Sequence, residues 1–404
     1  MKKYITSILF IWLTLINAPC MHSANDSIRI SLLTCEAGGE IYSLFGHTAL
    51  RVTCPERRVD YVFNYGVFSF ESRNFMLRFA LGRTDYMLGI MKYNDFAESY
   101  TEYGRDVFEQ ELNLTGEEKW KLFERLMRNA QKENRVYRYN FFFDNCSTRP
   151  RDQIEQILKG RLHYAENMNE YVLREGNHPE TFRDMIHLYA QESPWYNLGM
   201  DLCLGSPADR PMTRREKMFT PFYLRDCLAE ATFTDSHNDR KPVVKADGWV
   251  VRTKLQDYRS KLPSPTHACW MLCLLTLVLS ICEWRKKRLY WGADIVLFGA
   301  AGLGGCILFI LNFFSEHPCV SGNYNLLALH PLHLLALPYI IHTARKHTRN
   351  YYLIANSVVL TLFILFLRVI PQVFNPVILP LSLTLLIRCA IHSVIAQRQL
   401  HRPS

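Results

Sequence analysis

The chain carries no surplus of positive charge where a nucleic-acid binder would need one. Of its 47 Lys and Arg and 38 Asp and Glu, 11 basic and 3 acidic residues lie from residue 264 onward. Removing these and the N-terminal Lys2 and Lys3 leaves 34 basic and 35 acidic residues for the segment 25–263. The formal net charge of +9 is therefore a property of the tail, and a cationic nucleic-acid surface on the folded part is excluded. Internal repeats and low-complexity tracts are absent. With 49% hydrophobic and 21% charged residues, wholesale disorder is excluded as well. His163, His178 and His187 lack metal-ligand spacing to any nearby Cys or carboxylate, so neither a zinc site nor another cofactor is expected. The segment 25–263 also lacks an even cysteine count. Cys35, Cys54, Cys146, Cys203 and Cys227 make five there, which leaves at least one thiol unpaired.

What is present begins with a targeting segment. Met1–Lys3 is a short cationic start, and Ile5–Ile16 is an apolar run too short for a comfortable membrane span. Small residues at Ala18, Cys20, Ser23 and Ala24 offer cleavage points, so 1–24 reads as a secretory signal peptide, with an uncleaved anchor as the alternative. Five apolar stretches follow the soluble part, at about 265–283, 290–314, 324–342, 352–370 and 374–395, each close to the length of a span. Basic residues cluster after the first (Arg285, Lys286, Lys287, Arg288), the third (Arg345, Lys346, Arg349) and the fifth (Arg398, Arg402). The loop after the second stretch has none. Basic loops face the cytoplasm, so the pattern predicts a multi-pass inner-membrane protein with its soluble domain outside and its C-terminus inside. The expected layout is a signal peptide (1–24), an extracytoplasmic domain (25–262) and a five-span membrane domain (263–404).

The extracytoplasmic part alternates between strand and helix patterns. Strands are expected at 28–34, 48–54, 59–65, 86–93, 107–114 and 136–143, and helices at 74–81, 96–103 and 147–158. Thr115-Gly116-Glu117-Glu118 fits a capping box that opens a helix to about Lys132. Residues 165–240 read as mainly helical. Val243–Val251, with Asp247-Gly248 at its centre, reads as a hairpin.

Chemistry concentrates in two segments. In Phe45-Gly46-His47-Thr48-Ala49-Leu50-Arg51, His47 follows a glycine at the start of a strand. In Tyr139–Asp152 an aromatic run meets a turn and then a helix, with Cys146 at or just before the helix start and Asp144 or Asn145 as its cap. Free N–H groups at a helix start stabilise a thiolate and an oxyanion, and His47 is the best base for that thiol. Pro150 tolerates only the first turn, which moves the helix start toward Thr148 and Cys146 slightly outside it. Asp60 and Asn64-Tyr65, on the next strand, are placed to orient His47. The bland readings are a buried, inert Cys146, a structural His47 and ordinary strand-end polarity at Asn64. Arg149 and Asp152 read as a helix-surface pair.

These segments carry a resemblance. His first, on a strand, then Asn-Cys at a strand-to-helix turn resembles the permuted papain-like thiol enzymes, of which the lecithin:retinol acyltransferase group is one branch. Phe45–Arg51, Phe63-Asn64-Tyr65-Gly66, Phe143–Arg149 and Gly199–Gly205 are more closely similar to the Lnb periplasmic domain, over about residues 27–235. The resemblance implies an α+β papain-like (permuted) extracytoplasmic domain followed by an all-α five-helix membrane domain. It also implies a thiol acyltransferase of bacterial lipoprotein maturation, with Cys146 as nucleophile and His47 as base; Asn64 is a candidate third catalytic residue from its place on the next strand alone. In the best-known members the acyl chain comes from the lipoprotein's own diacylglyceryl group and goes to the amine of its N-terminal cysteine. Lipoproteins and membrane lipid are then the substrates. The same Cys–His pair equally suits a cysteine peptidase or amidase acting on cell-wall peptide, and a membrane scaffold with an inert Cys146 is the non-enzymatic reading. Within the membrane part, His330, His333 and Arg368 lie at outer depths where ionisable groups are costly. Arg368 is the candidate for a lipid phosphate or lipoprotein backbone, against plain snorkelling.

Overall fold

The computed structural model describes residues 27–68, 74–254, 258 and 262–400. The expected signal peptide at 1–24 lies outside these residues. The soluble domain is built on a seven-stranded antiparallel sheet. In spatial order its strands are β10 (Val244–Val251), β5 (Val107–Leu112), β1 (Arg29–Cys35), β2 (His47–Cys54), β3 (Val59–Val67), β4 (Asp85–Lys92) and β6 (Val136–Arg138). β1 lies mid-sheet and is buried at every position after Arg29, which is why it reads as an apolar run rather than as an alternation. Ile30, Leu32, Leu50, Val52 and Phe63 face one core with the helix α3 (Gly116–Asn129). Leu33, Cys35, Ala49 and Val62 face the other, under α2 (Tyr93–Glu102). A six-residue helix, α1 (Phe75–Ala80), precedes β4. Thr115 forms the expected capping box at the start of α3, its hydroxyl accepting from Glu118 N–H while the Glu118 carboxylate accepts from Thr115 N–H.

The helix after Cys146, α4 (Thr148–Ile157), starts where Pro150 in its first turn requires. Beyond it come β7 (Leu162–His163), α5 (Phe182–Ala190), α6 (Pro194–Cys203), the short α7 (Arg214–Lys217), α8 (Pro221–Glu230), β8 (Thr232–Thr234) and β9 (Arg240–Pro242). Two sequence expectations are corrected here. Val243–Val251 is not a hairpin: Asp247 and Gly248 pair with Gln110 and Glu109 on β5, because a free sheet edge offers a full ladder that a two-residue turn would forfeit. The strand expected over 136–143 ends at Arg138, since Asn140 and Asp144 close a turn on each other through two backbone hydrogen bonds.

The C-terminal part is helical: α9 (Pro265–Lys286), α10 (Trp291–Phe314), α11 (Leu332–Lys346), α12 (Tyr351–Phe366) and α13 (Ile378–Leu400). Among the described residues four segments are long and apolar enough to cross a membrane, and α12, with 16 residues, falls short of that length. α13 packs along α9 and α12, and α10 along α11.

The soluble domain is hydrogen-bonded onto the loops of this bundle. Asn323 Nδ2 donates to Leu202 O at 2.7 Å, Gly205 N to Cys319 O at 2.8 Å and Asn375 Nδ2 to Asp201 Oδ2 at 3.0 Å. Behind these contacts Arg183 is buried between Asp201 and Asp209.

Candidate active site

Gly46 sets the site's first edge. It has φ +75°, and a Cβ there would lie 2.6 Å from Cys35 O, so only glycine lets the chain swing into β2 with His47 leading and paired opposite Cys35. On the neighbouring strand, buried Asn64 turns its Oδ1 to His47 Nε2 at 3.2 Å. With the amide oxygen accepting, Nε2 carries the hydrogen and Nδ1 is the nitrogen free to take a proton. Asp60 has another role, a bidentate pair with Arg51 at 2.8 Å on each oxygen.

The Cys146 turn is held by its neighbours on both sides. Asn145, not Asp144, bonds the start of α4, whose N-cap position is Ser147: its Oδ1 accepts from Ser147 N at 2.8 Å and Thr148 N at 2.9 Å. Its Nδ2 donates to Phe141 O and Phe219 O at 2.9 and 2.8 Å, so all its bonding capacity is spent on shaping this turn. Asp144 binds Arg149 instead, at 2.6 and 2.8 Å, while Asp152 takes Arg151; the expected Arg149–Asp152 pair is not formed. Ser147 Oγ meets Thr48 Oγ1 at 2.8 Å, which fastens the turn to the residue after His47. Thr48 N–H is directed at the Cys146 sulfur. The two segments that look chemical in sequence therefore meet at the start of β2, and Thr48 and Ser147 join them. Neither stands out in the sequence, although both lie inside the quoted motifs.

Cys146 and His47 are both half-buried, and among the described residues no hydrogen bond joins them. Burial pushes the Cys146 thiol above its ordinary value, against the lowering effect of Thr48 N–H and the Ser147 hydroxyl. Burial takes His47 down to about 4, partly offset by Asn64. At neutral pH the thiol and the imidazole therefore both rest uncharged. Cys35, fully buried opposite His47, is pushed up to about 12 and is inert at neutral pH. Cys35, Cys146, Cys203 and Cys227 are free thiols.

Arg368 is not brought to this site. It follows α12 on the exposed rim of a cavity of about 930 Å³, with Asp209, Arg210, Trp270 and Phe374 among its walls and neither Cys146 nor His47. Arg210 connects the two regions, its guanidinium lying 4.6 Å from the Phe182 ring and 6.0 Å from that of Phe143, three residues before Cys146. The two histidines of the third span stack at 3.9 Å. His330 meets Asn356 at 3.3 Å, and His333 meets Tyr352 at 2.7 Å and Ala328 O at 3.0 Å, which makes them a helix-packing network.

Residues 21–187 match the family model of the Lnb N-terminal periplasmic domain, and residues 257–400 that of the Lnb transmembrane domain. The chain belongs to the Lnb family. An Lnb protein is an inner-membrane protein of lipoprotein maturation, its N-terminal domain periplasmic and its C-terminal domain in the membrane. The His47 and Cys146 segments both fall inside the periplasmic match, as does Asn64, while Arg368 falls in the transmembrane match. No curated protein and no solved structure matches the chain.

Proposed function

We propose that this Lnb-family protein is a thiol acyltransferase that N-acylates bacterial lipoproteins through a Cys146 thioester. The reading rests on one arrangement: a half-exposed Cys146 beside Thr48 N–H, on the strand that carries an Asn64-oriented His47, in a domain bonded to the loops of a membrane bundle. His47 Nδ1 takes the thiol proton as the sulfur attacks the ester carbonyl of a glycerolipid. The ester C–O bond breaks, the thioester C–S bond forms, and the proton passes to the departing alkoxide. The α-amine of the lipoprotein's N-terminal cysteine then attacks the thioester, gives its proton to His47 and restores the thiol. On this reading the backbone N–H groups of Thr48 and Cys146, both beside the sulfur, serve the oxyanion of each step. A neutral imidazole suits this role, because only the unprotonated ring accepts the thiol proton. Helices α9–α13 keep the site beside the lipid that supplies and receives the chain, and water is excluded on the lipid side. The soluble domain on this reading is a permuted papain-like fold, and Arg368 is a contact for a lipid phosphate on the same membrane face.

The deciding measurement is mass spectrometry of lipoprotein N-termini from cells with and without the protein. Triacylated or lyso N-acylated termini should be present with wild type and absent with Cys146→Ser, which inserts and folds normally. His47→Ala should lose nearly as much, since paired groups act as a unit. Unchanged N-termini together with altered cell-wall peptides would point to an amidase instead.

A further inference from the structure

Helix α1 turns an apolar face outward. Met76, Leu77 and Phe79 are 74%, 56% and 45% exposed, an arrangement that water disfavours and that lipid would satisfy. The helix is tied to the membrane domain at one place. Glu316 N donates to Leu81 O at 2.9 Å, the His317 ring bonds Phe79 O at 2.6 Å, and Arg83 and Arg138 both pair with Glu316, at 2.9 and 3.0 Å. Gly82 makes the approach possible: it has φ +66°, and a Cβ there would lie 2.5 Å from His317 N. Glu316 stands two residues beyond the end of α10, whose final Phe313 and Phe314 are themselves exposed on the bundle surface. Leu81, just past α1, therefore lies within about 10 Å of the exposed end of α10.

Behind α1 an aromatic wall runs inward. Phe79 stacks on Phe75 at 6.0 Å, Phe75 on Phe68 at 6.0 Å, Phe68 lies 5.0 Å from Tyr86, and Tyr86 stacks on Tyr139 at 4.1 Å. Tyr139 and Cys146 both border Gly66, where a Cβ would stand 3.8 Å from the Tyr139 ring and 3.6 Å from Cys146 Cβ. The wall thus starts at the membrane end of the domain and stops at the thiol.

We propose that α1 is an interfacial helix seated among the acyl chains of the outer leaflet, and that the wall behind it receives the acyl chain of the glycerolipid donor and leads its ester to Cys146. The use of the wall rests on the acyltransferase reading; the seating of α1 does not. Aromatic side chains suit this task because they give a long chain broad apolar contact at little conformational cost.

Two measurements on the full-length protein in phosphatidylcholine–phosphatidylglycerol nanodiscs test this. In Met76→Trp, the fluorescence added over the parent protein should be quenched by acyl-brominated lipid and spared by aqueous acrylamide. Quenching by acrylamide alone would overturn the seating. In the double variant Met76→Glu and Leu77→Glu, acyl transfer from a bilayer glycerolipid should fall by about tenfold or more, since two charges oppose immersion. Cys146 alkylation by iodoacetamide and turnover of a water-soluble short-chain ester should stay unchanged. An unchanged bilayer rate, or an equal fall in all three, would overturn the proposed route. If the wild-type protein turns over no ester at all, the acyltransferase reading fails, and the quenching result still decides where α1 sits.

Discussion

Cys146 and His47 differ from an ion-paired thiolate and imidazolium in their resting charge. Burial raises the thiol from an ordinary 9.0 and lowers His47 to about 4, so both are neutral at neutral pH. Two consequences follow for pH. Alkylation of Cys146 by iodoacetamide should rise with pH along a curve whose midpoint lies above 9, and His47→Ala should barely move that curve while abolishing acyl transfer. Fast labelling at pH 6–7 that disappears in His47→Ala would show a resting ion pair instead. His47 also binds no proton between pH 6.5 and about 4 while the unfolded chain does, so its contribution to stability is complete above 6.5 and lost as pH falls through that window. Arg368 makes a separate prediction at this scale. Arg368→Ala should weaken use of a lipid donor, read as a higher KM in detergent-solubilised protein, with Cys146 alkylation unchanged. Loss of both reactions alike would make it a folding residue, and loss of neither would leave it snorkelling.

Among the elements, α13 carries a feature the hydropathy reading passed over. Arg388 is buried inside the bundle, bound to Glu283 of α9 and, at 2.7 Å, to Asp294 of α10, while His392 reaches the same aspartate at 2.8 Å. One arginine thus joins three helices. Removing it leaves two carboxylates buried without their cation, so Arg388→Ala should cost about 3–5 kcal/mol, measured as loss of folded protein on heating in mild detergent. A change near zero would mean that water or lipid already satisfies those carboxylates. Gln372 and Asn375 in the α12–α13 connection make a comparable join outward, toward Leu204 and Asp201 of the soluble domain.

At the scale of the whole molecule, the two domains are bonded together rather than merely tethered. Arg183, buried with Asp201 and Asp209, stands behind the contacts of Asn375 and of Val373, whose N–H reaches Asp209 at 3.1 Å. The Ser315–Asn323 region touches the soluble domain at α1 on one side and at Gly205 on the other. The basic residues at the ends of α9 and α11 predict which side of the membrane the soluble domain occupies. A reporter active only in the periplasm should work when fused at Leu262, and one active only in the cytoplasm should work at the C-terminus. A periplasmic signal from the C-terminal fusion would remove the five-span arrangement, with α12 the first helix to question because of its length.

Local chemistry was enough to determine several features from the sequence alone. Thr115 and Glu118 specify a cap by their own spacing, Pro150 limits where α4 starts, and long apolar runs specify helices. His47, Asn64 and Cys146 were legible for the same reason: each lies at a strand or turn whose pattern is local. Long-range contacts decided the rest. The Asp247-Gly248 pair has the chemistry of a turn, yet β5 presents an open edge more than a hundred residues away, and pairing along it wins. Nothing near Asn145 in sequence distinguishes it from Asp144 as the residue that bonds the helix start until Phe219 O and Arg149 draw them apart. Arg388 reads as an isolated charge in an apolar stretch until two other helices bring Glu283 and Asp294 to it. The site's neutral charge state also comes from burial, and burial is set by what packs around a residue, not by the residues beside it in the chain.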